Sequence, residues 1–152
     1  MKMKMNEGYR PKYFELYELL PPELYTYTDM TLPKEQQSGW NYFDVVLLET
    51  IDVIREIIGK PLICNTWYQN GNRRWSGFRP SYCEIGAKNS LHKEGKAVDL
   101  ICASYTAAEM RKIIKDNKDR LPYKIRIEDG VSWLHVDVKE RKDKVKIYFF
   151  KA

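Results

Sequence analysis

Apolar residues recur every three or four positions between Asn41 and Ile58, and this is the clearest periodic pattern in the chain. The apolar positions are Phe43, Val46, Leu47, Ile51, Ile54 and Ile58. This spacing places them on one face of an α-helix, and Gly59 is typical of a helix end. A second helix is predicted from Thr106 to Asn117, because Thr106 and Glu109 have the spacing of a capping box.

Strands are predicted where short apolar or alternating runs lie between turn residues. The runs are Pro61–Tyr68, Ala97–Cys102, Ile125–Glu128, Ser132–Val138 and Val145–Phe150. The dipeptide Asp129-Gly130 joins two of them and predicts a hairpin. The expected fold class is therefore α+β, with two main helices beside a small, mostly antiparallel sheet. Residues 1–40 are predicted to form an arm that packs on the core of a single domain spanning 1–152.

The composition describes a basic protein with enough apolar residues to fill a core. Hydrophobic residues make up 43% of the chain, charged residues make up 31%, and the formal net charge is +5. That charge favours an acidic partner such as a bacterial cell wall. Nucleic acid is the alternative that the charge alone suggests. Acidic residues interrupt the basic stretch Lys139–Lys146, however, and we expect no nucleic acid partner.

The sequence also bears on where the protein is made and on whether its cysteines form disulfides or bind zinc. No stretch approaches the roughly 20 apolar residues of a membrane span, and no apolar run follows the basic N-terminus as in a secretory signal. We therefore expect a protein made in the cytoplasm, without a membrane partner, and a monomer. Cys64, Cys83 and Cys102 form no Cys-x-x-Cys pair, which argues against a disulfide framework and against a thiolate zinc site.

The chain contains only two histidines, and each has carboxylates nearby. Asp99 follows His92 by seven residues, with a glycine between them, and Asp137 follows His135 by two. Two neutral imidazoles and one carboxylate form a three-ligand set that leaves the fourth position of a tetrahedral zinc ion open. The alternative is a pair of core histidines that only make hydrogen bonds.

Three motifs around these residues resemble one peptidase family. Residues 90–99 fit Ser-x-His-x-x-Gly-x-Ala-x-Asp, residues 133–137 fit Trp-x-His-x-Asp, and residues 76–79 fit Ser-Gly-aromatic-Arg. In chain order, beginning with residues 76–79, the motifs resemble those of the M15 family of zinc peptidases. That family groups the D-Ala-D-Ala carboxypeptidases with phage L-alanyl-D-glutamate endopeptidases, and its fold is hedgehog/DD-peptidase-like. The resemblance covers about residues 60–140.

The resemblance implies roles for individual residues. It makes His92, Asp99 and His135 the ligands of Zn²⁺. It makes Arg79 the group that binds the carboxylate of the substrate or its developing oxyanion, a task that suits an always-charged guanidinium with a fork of donors. The substrate it implies is a peptidoglycan stem peptide.

The general base is where this chain departs from better-known members of the family. They carry an acid three residues before the second histidine, and here that position is Ser132. Glu128 ends the strand before the hairpin and is the favoured base. Asp137 is the next candidate, or else a residue that orients a metal ligand. Asp129 is expected to serve the turn.

Four aromatic residues flank these motifs and are candidates for lining a substrate groove: Trp67, Tyr68, Trp75 and Tyr82. A wall-cutting enzyme without a secretory signal would reach its substrate after release, through phage lysis or as part of a virion, so we expect an endolysin-like protein of phage or prophage origin. The alternative is a non-catalytic module that binds zinc or the cell wall, and Ser132 is the residue that favours it.

Overall fold

The computed structural model describes residues 8–152, so the first seven residues of the predicted arm lie outside the described part. The described residues contain four α-helices, α1 (Leu16–Leu19), α2 (Tyr27–Thr31), α3 (Val45–Ile58) and α4 (Ala107–Asp116). Four strands form one sheet, β1 (Ala97–Leu100), β2 (Ile125–Glu128), β3 (Leu134–Asp137) and β4 (Ile147–Phe150). The α+β class is therefore confirmed.

The sheet is mixed, with strand order β1-β3-β2-β4. Strand β3 pairs antiparallel with both β1 and β2, whereas β4 pairs parallel with β2. The predicted hairpin between β2 and β3 is present. The parallel edge strand arises because the chain crosses back after β3 before it enters β4.

The two main helices form near their predicted positions, for the predicted reasons. In α4 the Thr106 hydroxyl accepts a hydrogen bond from the Glu109 amide, and the Glu109 carboxylate accepts one from the Thr106 amide. Helix α3 ends at Gly59, which adopts the left-handed conformation. Its predicted start at Asn41 is wrong, because residues 38–42 form a 3₁₀ helix and the Asp44 carboxylate caps α3 by accepting from the Val46 amide.

The predicted strand over Pro61–Tyr68 is also wrong. Ile63 alone makes a bridge, to Ile101. Beyond it the backbone N–H of Asn65 donates to the carbonyl of Glu18, and the side-chain amide of Asn65 donates to the carbonyl of Leu20. These bonds direct the segment to the N-terminal arm instead of to a neighbouring strand, and Trp67–Gln69 then form a 3₁₀ turn.

The sheet has one apolar face and one polar face. Val98, Leu100, Leu134, Val136, Ile125 and Ile127 belong to one buried cluster with the apolar side of α3. Because side chains alternate along a strand, the opposite face carries Asp99, Arg126, Glu128, His135 and Asp137. This is the face on which the predicted metal ligands lie.

The described part of the chain contains no disulfide bond. The three cysteines are free, with Cys64 and Cys83 buried and Cys102 half-buried. Among residues 8–152, no helix is both long enough and apolar enough to cross a membrane.

A buried ion pair fixes the start of α3 against the loop that precedes β1. The Lys96 ammonium lies 3.0 Å from the Asp44 carboxylate, and both side chains are almost fully buried. The Asp44 amide also donates to the carbonyl of Gly95. Gly95 has a φ of 68°, and a Cβ there would collide with the carbonyl oxygen of Tyr42.

We expect Asp44→Ala to lower the free energy of unfolding by about 3–5 kcal/mol, because it leaves Lys96 buried without its partner. The loss of the α3 cap adds about 1 kcal/mol. Asp44→Asn keeps a good cap and should cost less, and Thr106→Ala, which removes only a cap, should cost about 1 kcal/mol. Urea unfolding followed by circular dichroism measures all three; equal losses for Asp44→Ala and Thr106→Ala would show that the ion pair adds nothing.

Candidate metal centre

His92, Asp99 and His135 meet at one point on the polar face of the sheet. All three are buried, and one ligand atom from each lies within 4.8 Å of the other two. The Asp99 Oδ1 atom is 3.3 Å from His92 Nε2 and 2.9 Å from His135 Nδ1. A group of this kind could hold a metal ion.

Local structure fixes each of the three side chains. In the antiparallel register of β1 and β3, Asp99 lies directly opposite His135. His92 lies in a 3₁₀ turn, Leu91–Glu94, and its own amide donates to the hydroxyl of the capping residue Ser90. His135 therefore comes from a central strand, Asp99 from the edge strand β1 beside it, and His92 from a tight turn that leads into β1.

The second ring nitrogen of His92 is bound to the backbone. His92 Nδ1 lies 2.9 Å from the carbonyl oxygen of Gly77. A carbonyl only accepts, so Nδ1 carries the proton and the lone pair of the neutral ring is on Nε2, which faces Asp99. Gly77 can approach because it has no side chain, and a Cβ there would collide with the carbonyl oxygen of Leu19.

The second ring nitrogen of His135 is bound to a carboxylate. His135 Nε2 lies 2.9 Å from Asp137 Oδ2, which leaves Nδ1 directed at Asp99. Metal-bound histidines generally donate their other N–H to a carboxylate or a carbonyl, and this fixes the ring and its tautomer. His92 meets that requirement through the carbonyl of Gly77, and His135 meets it through the carboxylate of Asp137.

The charges of the site favour a cation. Burial raises the pKa of Asp99, but its close contacts with His135 and His92 outweigh burial and hold that pKa well below its usual range. Burial lowers the pKa of His135, yet its hydrogen bonds to Asp137 and Asp99 raise it to about 9. Without a metal, His135 thus carries a proton between two carboxylates at neutral pH. A bound divalent cation would replace that proton, since only an unprotonated nitrogen coordinates.

Arg79 reaches the same site, and each of the three nitrogens of its guanidinium group donates a hydrogen bond within the protein. Nε donates to the carbonyl of Trp75 at 2.7 Å, Nη1 to that of Ile85 at 3.4 Å, and Nη2 to Asp99 Oδ2 at 3.4 Å. Arg79 therefore holds the ligand carboxylate from its far side. Its binding of a substrate carboxylate stays a prediction.

A cavity of about 520 Å³ opens over the three side chains. Its wall includes Glu94, Glu128, Trp133 and Phe150, in addition to the site residues themselves.

Glu128 lies on the polar face beside His135. In the register of β2 and β3, Ile127 pairs with Val136, so the next position along the strands sets Glu128 opposite His135. Directly opposed residues have Cβ atoms about 5 Å apart. Glu128 is half-buried, which leaves its carboxylate open to the cavity.

The other candidate acids are placed differently. Asp137 is fully buried and accepts hydrogen bonds from His135, from Arg126 and from the amide of Lys139. Asp129 is exposed in the turn and pairs with Arg111. Asp137 is thus a partner of a histidine, and Asp129 serves the turn as expected.

Ser132 lies away from the candidate metal ligands. It is exposed and lines a separate cavity, formed by residues 101–111 and 131–132. The position that carries an acid in the resembling peptidases therefore does not face the cavity over His92 and His135.

The four aromatic residues proposed for substrate binding lie outside the wall of that cavity. Trp67 and Tyr68 pack against Tyr25 and Tyr17, with ring centroids 6.0 and 4.6 Å apart. Trp75 stacks under Arg74, and Tyr82 is 64% exposed. A role for them in substrate binding stays a prediction.

Sequence reasoning missed several residues of the cavity wall, among them Glu94, Arg126 and Phe150. Alternation along β2 contains the signal for Arg126, because it places Arg126 and Glu128 on the same face. Glu94 follows His92 by two residues within the motif. Phe150 gave no local signal, since its place depends on how β4 joins the sheet.

Comparison of the chain with models of protein families, with curated proteins and with solved structures finds no match.

We expect the protein to bind one Zn²⁺ per chain and His92→Ala to abolish this binding. At a free zinc concentration of 100 times Kd, binding should add about 2.7 kcal/mol to the free energy of unfolding. Metal content after dialysis, together with thermal unfolding with and without zinc, measures both. Asp119→Asn, an exposed acid outside the site, is the control and should bind as the wild type does. Zinc retained by His92→Ala would place the metal elsewhere.

Proposed function

We propose that the protein is a zinc metallopeptidase that hydrolyses a peptide bond in the stem peptides of peptidoglycan. The observation that carries the proposal is the pair of buried histidines, each oriented by an acceptor on its second nitrogen, around one carboxylate beneath an open cavity. Two His and one Asp suit zinc. The three motifs around these residues resemble those of the M15 zinc peptidases.

The residues of the site divide the chemistry between them. His92, Asp99 and His135 would hold the zinc ion, which supplies a Lewis acid for amide hydrolysis. Glu128 would take a proton from the attacking water and return it to the leaving amine. Asp99 is a ligand and Asp137 is committed to His135 and Arg126. Of the carboxylates in the cavity wall, Glu128 and Glu94 are therefore the ones left for this role.

The register favours Glu128 over Glu94. Glu128 extends from the strand next to His135, on the same face, whereas Glu94 ends the turn that carries His92. A base held on a strand is positioned more exactly than one at the end of a turn. This assignment needs no acid at the position of Ser132, because Glu128 lies in the cavity wall.

The basic charge of the chain supports an acidic polymer as the substrate. We further propose that the protein meets the cell wall after release from the cytoplasm, by phage lysis or as part of a virion. A module that binds zinc or the wall without cutting it is the alternative, and the digestion described next separates the two.

Glu128→Gln should retain zinc and lose about 10²–10⁴-fold in the rate of peptidoglycan hydrolysis, since general base catalysis contributes that much. Purified peptidoglycan is digested and the muropeptides are identified by mass spectrometry, with a chelator-treated sample as the blank. Glu94→Gln is the matched control and should cut at nearly the wild-type rate.

Two outcomes would change the assignment. Near-normal cutting by Glu128→Gln, with a large loss in Glu94→Gln, would transfer the base to Glu94. A wild-type protein that is fully loaded with zinc and releases no fragment from any peptidoglycan would contradict the hydrolase. Its retention on the insoluble wall would then support the binding module.

A further inference from the structure

Arg126 makes a bidentate contact with the carboxylate of Asp137, the group that orients His135. Its Nε atom lies 2.8 Å from Asp137 Oδ1 and its Nη2 atom 2.9 Å from Asp137 Oδ2. Such parallel contacts fix the plane of a carboxylate as well as its position. Asp137 is completely buried, so Arg126 supplies the positive charge that its carboxylate needs in the interior.

The same carboxylate oxygen joins Arg126 to His135. Asp137 Oδ2 accepts from Arg126 Nη2 and from His135 Nε2, both at 2.9 Å. If the guanidinium were absent, Oδ1 would keep only the Lys139 amide as a donor and Oδ2 only His135, so the carboxylate would be held less firmly. The direction of the His135 imidazole, which this acceptor sets, would then be less firmly fixed.

Phe150 in turn holds Arg126. The centroid of its ring lies 4.1 Å from the guanidinium carbon of Arg126, a distance at which an aromatic face attracts a cation. The same ring meets the imidazole of His135 nearly edge-on, with centroids 5.7 Å apart. Phe150 thus contacts both ends of the chain of groups Arg126–Asp137–His135.

We propose that Arg126 is a positioning residue for the metal centre. It fixes Asp137 so that His135 presents Nδ1 to the ion, and Phe150 is the platform that fixes the plane of its guanidinium. The motifs around His92 and His135 do not include Arg126. The inference rests on the metal centre of the proposed function and is independent of whether a peptide is cut.

Arg126→Lys keeps the charge and removes the planar fork. Its affinity for Zn²⁺, measured by competition with a chelator of known affinity, should fall about 10–100-fold, the usual effect of losing a partner of a metal-bound histidine. The visible absorption spectrum of the Co²⁺-substituted protein should also change, because the direction of His135 Nδ1 changes. Phe150→Leu, which leaves the ion pair in place, should give a smaller fall in affinity.

Arg141→Lys is the matched control. Arg141 also makes two contacts with an aspartate, Asp143, at 3.0 and 3.1 Å, and its guanidinium lies 5.6 Å from the ring centroid of Tyr148. Asp143 is exposed and is not a partner of either histidine. The variant should therefore leave zinc affinity and the cobalt spectrum unchanged.

A double substitution tests the route of the effect. If Arg126 acts through Asp137, adding Arg126→Lys to Asp137→Asn should lower zinc affinity no further. Fully additive losses would overturn this route, and unchanged affinity and spectrum in both Arg126→Lys and Phe150→Leu would overturn the positioning role. If Arg126→Lys does not fold, as judged by circular dichroism, Phe150→Leu alone decides.

The outcomes also separate this inference from the proposed hydrolase. A wild-type chain that binds no zinc would overturn both. Weakened zinc binding in Arg126→Lys, in a protein that cuts no peptidoglycan, would support the positioning role and contradict only the hydrolase.

Discussion

The antiparallel pairing of β1 with β3 is the constraint on which the rest of the site depends. It sets Asp99 opposite His135 and directs both away from the apolar cluster. A shift of one residue in β3 would turn His135 into the core and expose Leu134 and Val136 to the cavity. The cost of exposing those side chains therefore fixes the register, and the register sets Asp99 and His135 together on the polar face.

Much of the candidate centre could be predicted because its signals are local. His92 and His135 are rare residues in fixed motifs, and alternation along a strand correctly placed His135 and Asp137 on one face. The capping box at Thr106 and the hairpin at Asp129-Gly130 are likewise complete within a few residues. Such patterns need no knowledge of which elements meet in space.

What the sequence did not indicate depends on tertiary contacts. The segment after Pro61 has the composition of a strand, but the side chain and amide of Asn65 bind carbonyls of the N-terminal arm. Helix α3 begins late because Asp44 is needed as its cap and as the partner of Lys96. The parallel placement of β4, and with it the contact of Phe150 with Arg126, follows from a crossover that no short pattern encodes.

The orientation of the histidines draws on distant parts of the chain. His92 depends on the carbonyl of Gly77, and Gly77 lies against Leu19 of α1. His135 depends on Asp137 and so on Arg126 of the neighbouring strand. The histidine rings are thus oriented in part by groups outside the two histidine motifs, Gly77 and Arg126, so those motifs describe the candidate centre only in part.

The parallel pairing of β4 has a consequence for the order of events during synthesis. The candidate ligands are His92, Asp99 and His135, and Phe150 is synthesised after all of them. Chains leave the ribosome at about 5–20 residues per second and non-local pairings form late. A metal site at His92, Asp99 and His135 would therefore be complete only once β4 has paired with β2 and brought Phe150 against Arg126.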